Sequence, residues 1–179
     1  MEALYDRYAP VLLSLCYRYS GNMQDAEDVL HDGFIKIIRN ISKFRQKKNG
    51  SFEGWMKRIM VNTALNHLRY HKKEKKFMNI DLIQEKIELS DEEGEDELAS
   101  YVGISQEKVM ELVCQLPLGY RTVFNMYVFE GFSHREIAAL VNCSESTSKS
   151  QLSKARATLR KKLNNLVFEK KTSNIHEKA

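Results

Sequence analysis

Apolar residues recur at intervals of three to four along most of the chain, the spacing that places them on one face of an α-helix. In the N-terminal part this pattern predicts helices over about 4–19 and 23–41, with Asn22 as the residue that caps the second. The pattern breaks at 44–52, where an Asn-Gly turn signal lies among basic residues, and a third amphipathic stretch follows over 52–71. The N-terminal part is therefore predicted to be all-α.

The C-terminal part predicts four further helices, and the last two form a pair. Ser105 is the expected cap of the first, and Pro117 is expected to stop it. Ser133 and Glu136 form a capping-box signature, and Asn142 tolerates the left-handed conformation that ends many helices. A tight turn and a basic amphipathic helix follow, which makes a helix-turn-helix whose second helix can enter a DNA major groove. A solvated helical hairpin packed on a neighbour is the alternative.

The charge pattern divides the chain into two small helical domains. A basic patch after residue 71 gives way to an acidic run, and charge blocks of this kind are usually solvated and flexible. We therefore predict domains at 1–71 and 105–168, a charged linker at 72–104 and a polar, frayed tail at 169–179. The acidic run can also fold back on the basic helix or follow a basic channel in a partner.

Composition excludes several classes of protein. Cys16, Cys114 and Cys143 are scattered and odd in number, which favours small core residues over a disulfide framework or a zinc cluster. His67 and His71 have the spacing of a metal pair but no third ligand. Since the sequence carries no catalytic motif, signal peptide or membrane span, we expect a cytoplasmic protein that is not an enzyme and needs neither cofactor nor metal.

Two polar surfaces in the N-terminal part are candidate binding sites. The second helix leaves a polar face opposite its apolar one, for which ordinary solvation is the alternative to a partner. The basic loop and the third helix place a tryptophan and amides beside positive charge. Such residues can hold unstacked bases, because rings stack on bases and cations follow phosphates. Core packing is the alternative for Trp55. The polar face of the second helix consists of Asp25, Asp28, His31, Asp32 and Lys36.

Two long motifs in this order resemble one family. DAEDVLHDGFIKIIRNISKF with FEGWMKRIMVNTALNHLR, then LPLGYRTVFNMYVFEGFSHREIAALVNCSESTSKSQLSKARATLRKKL, closely resemble the extracytoplasmic-function group of bacterial RNA polymerase sigma factors. The likeness spans about 4–163. It implies two helical domains, sigma region two and sigma region four, and a dissociable subunit that directs core polymerase to promoters. It also implies that no larger autoinhibitory region precedes them.

The resemblance also assigns roles to individual residues. It implies that the polar face of the second helix docks on the clamp helices of the largest polymerase subunit, with the polymerase flap, promoter DNA and an anti-sigma protein as further partners. The residues implied in capture and melting at the minus-ten element are Arg45, Lys47, Lys48, Asn49, Ser51, Phe52, Lys57, Arg58, Asn62 and Asn66. Those implied in reading the minus-thirty-five element are Lys149, Ser150, Ser153, Lys154 and Arg156.

The chain departs from the family pattern at a few positions. His31 stands where the family commonly has Gln, Ser148 where it is usually apolar, and Gln151 where it is usually basic. The missing charge at Gln151 suggests fewer phosphate contacts and a weaker salt dependence. We therefore expect promoter preference to depart from the relatives at Ser148 and Gln151. The chain also starts so close to the first motif that a few residues of the first helix are expected to be missing.

Two other functions are consistent with the same residues. One is a two-domain helix-turn-helix regulator that binds DNA without replacing sigma. The other is a module that keeps the fold but only sequesters a protein partner.

Overall fold

The computed structural model describes residues 2–45, 51–71 and 104–176 of the chain, and every regular element in those ranges is helical. Contacts divide the chain into two compact units, Met1–Ile80 and Asp81–Ala179. The predicted linker 72–104 lies outside the described residues apart from Ile104, so its boundaries remain a prediction. The helices are α1 (Glu2–Ser20), α2 (Met23–Asn40), α3 (Phe52–His71), α4 (Gln106–Cys114), α5 (Leu118–Phe124), α6 (His134–Val141) and α7 (Glu145–His176).

In the N-terminal unit, α1, α2 and α3 each pack against the other two. Gly21, just past α1, has a φ of 80°, the left-handed conformation that closes many helices. Asn22 then caps α2 because its Oδ1 accepts a hydrogen bond of 2.9 Å from the amide of Asp25. α1 continues through Pro10. Val11 is 50% exposed, so it lies outside the buried face of this helix.

One glycine lies at the contact between α2 and α3. A Cβ atom at Gly33 would overlap the Sδ and Cε atoms of Met60, which is fully buried on α3. The absence of a side chain at Gly33 therefore lets the two helices approach closely. The buried residues of these two helices include Ala26, Val29, Leu30, Phe34, Ile37, Met56, Met60, Val61, Ala64 and Leu65.

In the C-terminal unit, α7 packs against α4, α5 and α6. Ser105 caps α4 through a hydrogen bond of 3.3 Å from the amide of Lys108, as predicted, and α4 ends at Cys114, before Pro117. Lys162 on α7 donates a hydrogen bond of 3.1 Å to Gln115 just after α4. One buried cluster of this unit comprises Leu112, Val113, Leu116, Tyr120, Ala155 and Leu159.

Two backbone features of this unit were not predicted. A π-helical turn, Asn125–Phe129, follows α5. Because a π turn takes more residues than an α turn, it changes which side chains face inward: Asn125 is buried, whereas Tyr127 is 37% exposed. In addition, α7 continues past Leu166 to His176, where a frayed tail was expected.

The three cysteines are free thiols. Cys16 is fully buried in α1, and burial raises the pKa of its thiol to about 12. Cys114 and Cys143 are half-buried. Among the described residues, no helix combines the length and apolar character that a membrane crossing requires.

Candidate nucleic-acid interface

The helix-turn-helix consists of α6, the turn 142–144 and the first turns of α7. The amide of Ser133 donates to Glu136 Oε2 at 3.0 Å and the amide of Glu136 donates to Ser133 Oγ at 3.3 Å, which confirms the predicted capping box. Asn142 ends α6 with a φ of 58°. Ser144 then begins α7, since its Oγ accepts a hydrogen bond of 3.0 Å from the amide of Thr147. Local sequence alone therefore specifies where both helices begin and how the turn bends.

The outer side of α7 carries three of the five residues predicted to read DNA. Lys149, Ser150 and Arg156 are exposed, whereas Ser153 and Lys154 are half-buried. Two cations and a hydroxyl thus stand on the accessible side of a helix whose other side is in the core. Such a surface can contact phosphates and base edges in a major groove.

Ser148 and Gln151 lie on the inner side of α7. Their residue exposures are 0% and 5%. A side chain buried in this way is not placed to contact a phosphate, so the expectation of fewer phosphate contacts and a weaker salt dependence stays a prediction. The expected departure of promoter preference at Ser148 also stays a prediction, and a buried Ser148 can affect it only through the residues that it contacts. Spacing along a helix does not by itself say which side a neighbouring helix covers.

Ser148 has a partner that the sequence did not reveal. His134 Nδ1 and Ser148 Oγ share a hydrogen bond of 2.9 Å between the first residue of α6 and the second turn of α7. The His134 ring stacks on Tyr127, with ring centroids 4.6 Å apart and an interplanar angle of 23°. Burial, and then the positive charge of Lys149, lower the pKa of His134 below its usual value.

Four aromatic rings meet at the base of the basic loop in the N-terminal unit. We call Tyr8, Phe44, Phe52 and Trp55 the ring cluster. Phe44 lies 5.2 Å from Phe52 and 5.3 Å from Trp55 between ring centroids, and Phe52 stacks on Trp55 at 5.5 Å. Tyr8 and Phe52 meet edge to face, with ring centroids 6.2 Å apart. The cluster therefore joins both ends of the loop to α1 and α3 through ring contacts.

Trp55 is half-buried and contacts Phe44 and Phe52 at the two ends of the loop. Its ring is therefore not fully enclosed in the core. Of the predicted loop residues, Arg45 is exposed and its Nη1 donates to the carbonyl of Ser42 at 2.9 Å. Lys47, Lys48 and Asn49 lie outside the described residues.

The outer face of α3 carries the remaining residues predicted to contact the minus-ten element. Arg58, Asn62 and Asn66 are exposed at intervals of four, and Asn66 Oδ1 accepts a hydrogen bond of 2.9 Å from Arg69. They form one accessible stripe along the helix. Two predicted residues have local structural roles as well. Lys57 pairs with Glu53 at 2.7 Å, and Ser51 Oγ accepts a hydrogen bond of 3.0 Å from the amide of Gly54.

The polar face of α2, Asp25, Asp28, His31, Asp32 and Lys36, is accessible over most of its length. Asp28, His31 and Asp32 are exposed. Its two end residues reach toward α3: Lys36 Nζ donates to Thr63 Oγ1 at 3.1 Å, and His67 Nε2 lies 3.7 Å from Asp25 Oδ1. These two contacts tie the ends of the polar face to α3. No signal in the sequence indicated them. Within the described ranges, no three His, Cys, Asp or Glu side chains cluster as metal ligands.

Comparison with known proteins agrees with both units. Residues 4–74 match the family model "Sigma-70 region 2" and residues 106–159 match "Sigma-70, region 4". The ECF RNA polymerase sigma-E factor of Escherichia coli (strain K12) is 30% identical over 167 residues, which cover 90% of this chain and 85% of that protein. The chain belongs to the ECF sigma factors of RNA polymerase. The alternative of a regulator that does not replace sigma is not favoured.

Other relatives of this sigma factor are similarly distant. The RNA polymerase sigma-H factor of Pseudomonas aeruginosa is 29% identical over 172 residues, covering 94% of this chain and 88% of that protein. The sigma factor RpoE, solved in complex with the anti-sigma factor NepR from Bartonella quintana, superposes with a TM-score of 0.55 at 18% identity and covers 92% of this chain and 98% of that one. This last likeness is one of fold. The family consists of transcription initiation factors that direct RNA polymerase.

Proposed function

We propose that this sigma factor binds core polymerase through the polar face of α2, captures the melted minus-ten element with the basic loop and the outer face of α3, and reads the minus-thirty-five element with α7. The observation that carries this proposal is that α3 exposes Arg58, Asn62 and Asn66 and α7 exposes Lys149, Ser150 and Arg156, whereas each helix also has a buried side. The protein carries out no covalent chemistry, and the polymerase supplies the catalysis.

The polar face of α2 is suited to docking on a protein. Its exposed acidic groups and its lysine stand on one side of a helix that packs on α1 and α3. Charged surfaces of this kind direct encounter and fix orientation more than they add affinity. We assign this face to the clamp helices of the largest subunit, and the C-terminal unit to the polymerase flap.

The minus-ten assignment rests on the ring cluster and the stripe on α3. Extruding a base from the duplex costs a few kcal/mol, which pocket contacts must offset. The ring cluster holds both ends of the loop at the start of α3, the helix that carries the exposed Arg58, Asn62 and Asn66. Amides can bond to base edges, and positive charge can follow the backbone of the melted strand.

The minus-thirty-five assignment rests on α7. Lys149 and Arg156 present two positive charges on the accessible side, with Ser150 beside them. Phosphate contacts position such a helix on the duplex, and base-edge contacts supply the specificity. Ser153 and Lys154 are half-buried, so we assign them a smaller share of the contact surface.

The domain boundaries form part of the same proposal. We take 1–71 as sigma region two, 72–104 as the charged linker, 105–168 as sigma region four and 169–179 as a polar tail. The solved structure of RpoE contains an anti-sigma factor, NepR. This supports an anti-sigma protein as a partner of this chain as well.

Run-off transcription with purified core polymerase tests the proposal directly. Core enzyme is incubated with and without the protein on a genomic library from the source organism, and transcript ends are mapped. We expect new start sites that require the protein and share a minus-ten and a minus-thirty-five element. If no start site depends on the added protein, the proposal is wrong.

A sequestering module would give a different result in the same preparation. A protein that only sequesters a partner is not expected to bind duplex DNA. A sigma factor bound to core is expected to bind promoter DNA, with an affinity that falls steeply as the salt concentration rises. Titration of promoter DNA with the reconstituted holoenzyme at two salt concentrations separates the two functions.

A further inference from the structure

Ser148 places a hydroxyl group in the interior of the helix-turn-helix. A buried hydroxyl that lacks a hydrogen bond destabilises the folded state. Ser148 is 0% exposed, and its Oγ meets His134 Nδ1 at 2.9 Å. The buried hydroxyl of Ser148 therefore has a hydrogen-bond partner, His134, on the other helix of the motif.

The ring that supplies this hydrogen bond is itself held in place. His134 is half-buried and stacks on Tyr127 of the π turn at 4.6 Å. The capping box between Ser133 and Glu136 fixes the backbone at the same end of α6. With the ring, the backbone and the hydrogen bond all constrained, His134 has little freedom to follow Ser148 if α7 turns or tilts.

We propose that His134 is a positioning residue for promoter recognition, which sets the rotation and tilt of α7 relative to α6 through its hydrogen bond to Ser148. The inference rests on the proposed function. Lys149 and Ser150 directly follow Ser148 in α7 and are exposed, so the direction of Ser148 determines theirs. Successive residues of a helix are 100° apart, and hydrogen bonds to base edges weaken steeply with misalignment. The hydrogen bond inside the motif therefore controls contacts that His134 itself does not make.

The test measures sequence preference, because a merely structural role would change stability without changing which sequence is chosen. The full-length protein in its holoenzyme selects from duplex DNA randomised over the minus-thirty-five element of a promoter obtained by start-site mapping. We expect Ser148→Ala and His134→Ala each to lower enrichment of the preferred sequence by about threefold to tenfold, the range that corresponds to one net hydrogen bond.

Three further variants make the test specific. The double variant His134→Ala/Ser148→Ala is expected to resemble the single ones, because both remove the same interaction. His134→Asn places an amide nitrogen near the position of Nδ1 and should restore most of the preference. Thr158→Ala is the matched control, since Thr158 Oγ1 donates to Lys154 O within α7 itself, and it should retain the original preference.

Each outcome bears on the inference. Unchanged preference in both single variants would overturn it, as would a double variant whose loss equals the product of the two single losses. Thermal unfolding of each variant shows whether a loss of sequence preference comes from misfolding. If an alanine variant misfolds, the preference of His134→Asn tests the inference in its place. If the unaltered holoenzyme selects no sequence at all, the proposed minus-thirty-five role fails and this inference with it, whereas selection that the variants do not alter contradicts the inference alone.

Discussion

The two units hold their DNA-facing surfaces by different physical means. In the N-terminal unit, ring contacts at centroid distances of 5.2–6.2 Å join the ends of the basic loop. In the C-terminal unit, a capping box, a left-handed Asn142 and the hydrogen bond between His134 and Ser148 define the helix-turn-helix. Ring contacts are only weakly directional, whereas hydrogen bonds weaken steeply with angle.

This difference matches the two tasks proposed for the units. A surface that captures an extruded base must adapt as the strand separates, and apolar packing tolerates such shifts. A helix that reads an intact major groove must keep one orientation, and directional bonds provide it. The N-terminal surface also relies on amides beside a loop, whereas α7 relies on exposed cations. We therefore predict that substitutions in the N-terminal unit impair promoter melting and leave duplex recognition intact, and that substitutions in the C-terminal unit do the reverse.

The largest effect is expected from Trp55→Ala, which removes the ring that contacts both Phe44 and Phe52. We expect promoter opening to fall by about tenfold or more, since a base–ring stack contributes about 1–3 kcal/mol and the loop ends lose their support. Binding of the minus-thirty-five duplex should stay within about twofold of the original, because that contact belongs to the other unit. Permanganate footprinting and duplex titration measure the two quantities.

Trp55→Phe is the matched variant, because it keeps a ring in the cluster and should recover most of the opening activity. Equal losses of opening and of minus-thirty-five binding in Trp55→Ala would show that the two surfaces are not separable.

Lys149→Ala should produce the opposite separation. Removal of this exposed cation is expected to weaken promoter binding by about tenfold and to reduce the slope of log K against log salt by nearly one, the contribution of one phosphate contact. Core binding should remain intact, because the polar face of α2 is unchanged. Lys161→Ala removes a charge from an exposed position further along α7 and should have a smaller effect. Parallel loss of core binding would contradict the role assigned to Lys149.

Ser133→Ala probes the directional contacts themselves. It removes the hydroxyl that caps α6, which should lower the free energy of unfolding of the C-terminal unit by about 1 kcal/mol. Hydrogen exchange resolved by residue measures the two units separately, and we expect loss of protection in α6 and no change in α2. Ser14→Ala, at an exposed serine of α1, serves as the control. Loss of protection in both units would show that they do not behave independently.

The smallest effect concerns pH. The pKa of His134 is lowered in the folded state, chiefly by burial and then by Lys149, with Arg156 acting in the same direction and Glu145 in the opposite one. The unfolded chain therefore takes up this proton at a higher pH than the folded one, so stability is constant above about pH 6.5 and declines as pH falls below it.

The test is denaturant unfolding between about pH 7.5 and about pH 5.5, a range that brackets the ordinary His pKa of about 6.5. We expect the free energy of unfolding to decline less over this range in His134→Asn than in the original protein. His31→Asn is the control, because His31 is exposed on α2. An equal decline in His134→Asn and in the original protein would mean that His134 does not contribute.

Much of this protein was determined by local sequence. Helix ends follow from single residues such as Asn22, Ser105 and Ser133, because a cap acts within three residues of itself. The all-α fold follows from the helical period of the apolar residues, and the two motifs were sufficient to indicate the family.

Tertiary structure decided which polar residues remain accessible. Gln151 and Lys149 lie two positions apart on the same helix, yet one is buried and the other exposed, since the answer depends on where α7 meets the rest of its unit. The same holds for the meeting of His134 with Ser148 and for the ring cluster. Such contacts join residues far apart in sequence, and the period of one helix carries no information about its neighbour's position.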